Sequence, residues 1–165
     1  MMDEGQTHKR LTSRLLACLL TFLVFLQFCM AGSVNANDNG LTALRLGFVG
    51  VDGQPALRLV IETSAPATVK MSLLSEPYRL VIDMRDVAWQ IDSLPKNGGL
   101  DRLPAKAYRF GHPEPGTGRL VIEMDTPAAP IRAFALPPNK GGHRLVIDIA
   151  DNGRTAFQVA AAALR

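Results

Sequence analysis

A five-residue phrase, Arg-Leu-Val-Ile followed by an acid, occurs four times in the chain. Residues 58–62 and 119–123 read RLVIE, and residues 79–83 and 144–148 read RLVID. The Glu and Asp versions alternate in chain order, with 61 residues from first to third and 65 from second to fourth. Such spacing marks a duplicated unit of about four short strands. The phrase is strand material, with β-branched Val and Ile at its centre. Side chains alternate along a strand, so Leu59 and Ile61 share an apolar face while Arg58, Val60 and Glu62 share the other. The two charges of one phrase lie roughly 13 Å apart at a rise of ~3.3 Å per residue, too far to pair within the strand. They must pair across strands, stay solvated, or meet a ligand.

The first residues have a different character. His8, Lys9, Arg10 and Arg14 precede an apolar run over residues 15–31, and Gly32-Ser33-Val34-Asn35-Ala36 follows. A basic start, an apolar run and small residues at 34 and 36 describe a secretory signal peptide over residues 1–36, cleaved after Ala36. The rival is an uncleaved membrane anchor, and the run is short of the ~20 residues a span needs. Phe28 stands before Cys29 where lipidation wants a small residue, and Lys9-Arg10 lacks the second arginine of a twin-arginine signal. The expected route is Sec-dependent export to the periplasm, with membrane contact only if the signal is retained.

Both cysteines, Cys18 and Cys29, fall in the segment to be removed, so the mature chain from Asn37 has neither disulfide nor thiol chemistry. That chain has 15 Lys plus Arg against 13 Asp plus Glu, and no basic run interleaved with aromatics. Nucleic acid is therefore not an expected partner.

Residues 37–43 read as a short linker. From Leu44 to Ala150, short alternating segments are separated by Pro- and Gly-bearing turns such as Asp52-Gly53-Gln54-Pro55. Tyr108-Arg109-Phe110-Gly111 stands where Leu44-Arg45-Leu46-Gly47 stood, and Pro127-Ala128 follows the third phrase as Pro66-Ala67 follows the first. The expectation is an all-β sandwich of two symmetrical, roughly four-stranded sheets from an internal duplication. In it each repeat forms a meander that buries one apolar face against the other. Leu59, Ile61, Leu80, Ile82, Leu120, Ile122, Leu145 and Ile147 should share that core. Residues 151–165 form an Ala-rich tail or linker remnant, with Phe157, Ala160 and Leu164 at helical spacing.

The four phrases, Asp86-Val87-Ala88-Trp89 after the second, residues 108–111, and the segment from Arg132-Ala133-Phe134 to Leu136-Pro137-Pro138 together resemble an AMIN domain. This is the N-terminal module of periplasmic N-acetylmuramoyl-L-alanine amidases, in a form similar to that of the alphaproteobacterial enzymes. The resemblance covers residues 44–150. It implies a sandwich of two symmetrical sheets that tethers its protein to peptidoglycan, with the repeated motifs on the outer faces. The same domain also occurs in envelope secretins of pilus machinery.

Catalytic chemistry is not expected. A zinc hydrolase site needs two or three His with a carboxylate and a catalytic Glu. The mature chain has only His112, in a turn, and His143, before the fourth phrase. No Gly-Xaa-Ser-Xaa-Gly or Cys-His arrangement occurs, and Lys140-Gly141-Gly142 lacks the helix that would cradle phosphate. No metal or other cofactor is expected.

The candidate binding residues are the outward charges of the phrases: Arg58 and Glu62, Arg79 and Asp83, Arg119 and Glu123, Arg144 and Asp148. Peptidoglycan stem peptides offer carboxylates that an Arg fork grips in bidentate fashion, and its sugars and peptides offer donors to Asp and Glu. The competing reading is a set of solvated cross-strand pairs of little energetic value. Trp89 and Tyr78 could stack on a sugar, but read better as packing. Three functions compete: a non-catalytic peptidoglycan-binding module, an amidase fragment lacking its zinc domain, and an interaction component of a secretin or pilus assembly. A cell-wall amidase or an envelope complex is the corresponding protein partner.

Overall fold

The computed structural model describes residues 39–165. The expected signal peptide, residues 1–36, lies outside them. The first repeat supplies β1 (Asn39–Val51), β2 (Gln54–Thr63), β3 (Val69–Leu74), β4 (Tyr78–Arg85) and β5 (Val87–Trp89). The second supplies β6 (Asn97–Arg102), β7 (Ala105–Glu114), β8 (Thr117–Met124), β9 (Ala128–Asn139) and β10 (Gly142–Asp151), and α1 (Gly153–Ala163) follows. The strands form two five-stranded sheets, β5-β1-β2-β10-β9 and β3-β4-β8-β7-β6. The all-β sandwich is as expected, with β5 and β6 widening each sheet from four strands to five.

The strand order corrects one expectation: the repeats do not each form their own sheet. Each sheet joins the first hairpin of one repeat to the second hairpin of the other. The cause lies after each RLVIE strand, where a Pro-bearing stretch carries the chain across the sandwich instead of turning it back. Residues 64–68 make the first crossing and residues 125–127 the second. Asn39 fixes the first. Its buried side chain donates to the carbonyls of Ala65 at 3.0 Å and Pro66 at 3.1 Å, and accepts from the Ala65 N–H at 2.9 Å. A buried amide with its hydrogen bonds made costs little, and here it clamps the bend.

The phrases occupy the middle of both sheets. β2 and β10 pair antiparallel with Val60 opposite Val146, and β4 and β8 with Val81 opposite Val121. Seven of the eight predicted core residues are buried to within 1% exposure: Leu59, Ile61, Leu80, Ile82, Leu120, Ile122 and Ile147. Leu145 is half-buried and packs against the same core. The outer valines are not bare either, since Val81, Val121 and Val146 are buried. Tight turns suit the hairpins: Asp52 and Gly53 both take positive φ, 50° and 83°, which a two-residue loop between twisted strands requires.

Three segments differ from the sequence reading. Residues 39–43, read as linker, belong to β1, and Leu41 is fully buried. Residues 95–99, a Pro- and Gly-bearing stretch between the repeats that reads as a turn, are partly strand, because β6 begins at Asn97. Pro130, Pro137 and Pro138 lie within β9 rather than in turns; β9 is a sheet edge, where a missing N–H breaks no ladder. The Ala-rich tail is α1, and it packs on the sandwich through buried Phe157, whose ring meets Tyr78 edge-on at 5.0 Å.

Candidate functional site

Because Leu and Ile of each phrase face inward, Arg, Val and the acid face outward. Centred antiparallel pairing then places each Arg opposite an acid. Arg58 faces Asp148 and Arg144 faces Glu62 in one sheet, while Arg119 faces Asp83 and Arg79 faces Glu123 in the other. The flanking strands complete three rows on each outer face. On the first sheet these are Gly47–Arg58–Asp148–Arg132, Arg45–Val60–Val146–Phe134 and Ala43–Glu62–Arg144–Leu136. On the second they are Gly111–Arg119–Asp83–Lys70, Arg109–Val121–Val81–Ser72 and Ala107–Glu123–Arg79–Leu74. The two grids match position by position, with four cations and two carboxylates in each.

Charge pairing divides the eight phrase residues. Arg58 grips Asp148 with a two-bonded fork, Nε–Oδ1 2.7 Å and Nη2–Oδ2 2.9 Å. Arg119 grips Asp83 the same way, at 2.6 and 2.8 Å. Asp148 is fully buried beneath this fork, and the Arg58 guanidinium also lies 5.7 Å from the centre of the Phe134 ring. The fork's hydrogen bonds hold the Asp148 carboxyl below the usual carboxylate range; burial opposes this, and the Arg58 and Arg132 charges add to it. Asp83 is lowered for the same reason, chiefly by the Arg119 hydrogen bonds, with Lys70 as the further cation.

The opposite pairs do not close. Glu62 turns to Arg45, 3.3 Å away, and Arg144 donates instead to the Pro137 carbonyl at 3.1 Å, with its Nε buried and unbonded. Arg79 donates to the Pro77 carbonyl at 3.2 Å, while Glu123 and Arg109 have no hydrogen-bond or ion-pair partner among the described residues. So of the eight sequence-derived candidates, Arg58, Asp148, Arg119 and Asp83 are tied up in forks. Glu62 is committed to Arg45. Among the described residues, Arg79, Arg144 and Glu123 have no side-chain charge partner.

Sequence reasoning overlooked Arg45, Arg109, Lys70 and Arg132, which complete the grids. The signal for the first two was present in the matched Leu44-Arg45-Leu46-Gly47 and Tyr108-Arg109-Phe110-Gly111. The small residues of β7 leave the second face indented: Asn97, Gly98, Ala107, Arg109, Val121 and Glu123 border a depression of 440 Å³.

The aromatic and histidine side chains are engaged elsewhere. Trp89 stacks on Tyr108 at 6.0 Å and donates its Nε1–H to the carbonyls of Ile91 and Leu94. His112 sits edge-on to Phe110, with Nδ1 3.2 Å from the Thr117 carbonyl. His143 lines a largely apolar cleft of 260 Å³ with Ile61, Val69, Met84 and Leu145. Among the described residues no three His, Cys, Asp or Glu cluster in a way that could hold a metal ion. No helix among them is long and apolar enough to cross a membrane.

The AMIN domain family model matches residues 50–149. The chain is also 32% identical over 102 residues to N-acetylmuramoyl-L-alanine amidase AmiC of Neisseria meningitidis serogroup B. That alignment takes in 60% of this chain and 24% of the amidase, so the chain spans about a quarter of the relative it matches.

Proposed function

Since the chain belongs to the AMIN domain family, we propose that it is a non-catalytic peptidoglycan-binding module of the periplasm. The observation that carries this reading is the pair of matching outer grids, each with more cations than carboxylates and each with an arginine that no carboxylate meets: Arg144 on one face, Arg79 on the other. A sandwich needs its Leu and Ile for the core, but it does not need a cation without an anion on both outer faces. Stem peptides carry carboxylates, which suit a planar guanidinium fork. Glu123, which has no partner among the described residues, is the complementary acceptor for amide N–H, ammonium or hydroxyl groups. The forked residues Arg58, Asp148, Arg119 and Asp83 tie the central strands together, and their charges cancel within each pair. The polymer repeats, so two faces on one domain add avidity through effective concentration.

The test is co-sedimentation of the purified protein with isolated sacculi over a salt series. Binding should weaken as salt rises, because exposed charges are screened within ~8–10 Å at physiological ionic strength. Salt-independent binding, or none, contradicts the reading. The same protein should release no muramyl peptides from those sacculi, and chelator-sensitive release would show a hydrolase.

The short coverage of the amidase relative supports a second reading, in which this module positions a cell-wall amidase, either in the same polypeptide or as a partner. Mass spectrometry of the native protein separates the two forms: a mass well above that of residues 37–165 means the module is carried by a larger chain.

A further inference from the structure

The two outer faces share one grid but differ in what remains open. On the β5-β1-β2-β10-β9 sheet, Arg45 closes on Glu62 and the Phe134 ring packs near the Arg58 guanidinium. The corresponding residues on the other sheet are Arg109, Glu123 and Ser72, and there nothing closes. Glu123 stands directly opposite Arg79 across the ladder, and Arg109 lies diagonally on the strand to its other side. Glu123 and Arg109 border the same 440 Å³ depression. A second depression of 290 Å³ adjoins it on the far side of Arg109 and Val121, toward Gly111 and Arg119. The Arg–Glu contact of the duplicated grid is thus closed in one copy, Arg45–Glu62, and open in the other, Arg109 and Glu123.

A carboxylate between two guanidinium groups, none of them paired with another, is complementary to a ligand carrying both charges close together. Directly opposed strand residues sit ~5 Å apart, so an ammonium on Glu123 leaves an adjoining carboxylate within reach of either arginine. We propose that this face takes a zwitterionic amino-acid head group, the unlinked end of a diaminodicarboxylic acid in an uncrosslinked stem peptide. Its ammonium donates to Glu123 and its carboxylate accepts from Arg109, with Arg79 on the other flank of Glu123. The peptide behind the head group runs over the second depression. This rests on the peptidoglycan reading and narrows it: cross-linking consumes that ammonium, so the module would favour uncrosslinked regions of the wall.

Calorimetric titration with a soluble disaccharide-peptide whose diaminodicarboxylic acid has its second amino and carboxyl groups free, and with the same compound N-acetylated on that amine, tests the inference. The parent protein should bind the acetylated compound about tenfold or more weakly, the worth of one charge-assisted hydrogen bond. Glu123→Gln should lose a similar factor toward the free amine and no longer distinguish the two compounds. Arg154→Gln, on α1 and outside both grids, should bind like the parent. Equal affinity for both compounds, or an unchanged preference in Glu123→Gln, overturns the proposal. The acetylated-compound comparison needs no variant to fold. If the protein sediments with sacculi yet shows no preference, only this site is wrong; if it does not sediment at all, the peptidoglycan reading has failed with it.

Discussion

At the scale of single residues, the alternation of Glu and Asp acquires a meaning that the sequence did not disclose. Both Asp residues meet the Arg of an RLVIE strand in a two-bonded fork, and neither Glu pairs with the Arg opposite it. That charges within a phrase must look across strands was legible from the strand rise alone. Which phrase would be the neighbour was not, because Arg58 and Asp148 come together over 90 positions of chain. The forks have a pH signature. Asp83 and Asp148 titrate lower in the folded state than in the unfolded chain, where Asp sits near ~3.9. Their contribution is therefore full above about pH 4 and is lost as pH falls through the lowered folded values. Thermal unfolding followed by circular dichroism should show the melting temperature dropping below about pH 4. Asp148→Asn should lower the melting temperature at neutral pH and flatten that acid limb. It should do so more than Asp83→Asn, since the Asp148 side chain is 0% exposed and that of Asp83 26%. An acid limb unchanged in both variants would mean that the forks do not stabilise the fold.

At the scale of strands and helix, the alternation of apolar and charged residues was enough to assign faces correctly. Val81, Val121 and Val146 are nevertheless buried on the outer side, covered by neighbours that a strand-by-strand reading cannot supply. The crossing of the chain between sheets was harder to see. Pro66-Ala67 and Pro127-Ala128 look like hairpin turns in sequence, and only the strand order shows that they change sheets. The start of β1 and the role of α1 were missed for a related reason: Asn39 and Phe157 are defined by distant partners, the 64–66 bend and Tyr78. Leu120→Ala or Ile82→Ala should cost about 2–5 kcal/mol by urea unfolding, the range for large core truncations. Leu145→Ala, at a half-buried position, should cost less than either. Phe157→Ala should cost about 3–5 kcal/mol if α1 is an integral part of the domain, and a near-zero effect would make it an appendage.

At the scale of the whole molecule, duplication and exchange of hairpins give a sandwich whose two outer faces are copies of one grid, one largely closed and one open. The sequence made the duplication and the eight phrase charges visible. It could not show which charges are neutralised by others, because that depends on pairing between repeats. The peptidoglycan reading rests on the phrase arginines that meet no carboxylate among the described residues, Arg144 on one face and Arg79 on the other. The most direct measurement is sacculus co-sedimentation of the parent protein beside the Arg79→Ala, Arg144→Ala double variant, each checked for folding by urea unfolding. The account predicts that the double variant stays folded and binds about tenfold or more weakly, as expected when charge-assisted hydrogen bonds worth ~1.5–3 kcal/mol each are lost. A folded double variant that sediments as well as the parent would contradict it and make the phrases purely structural.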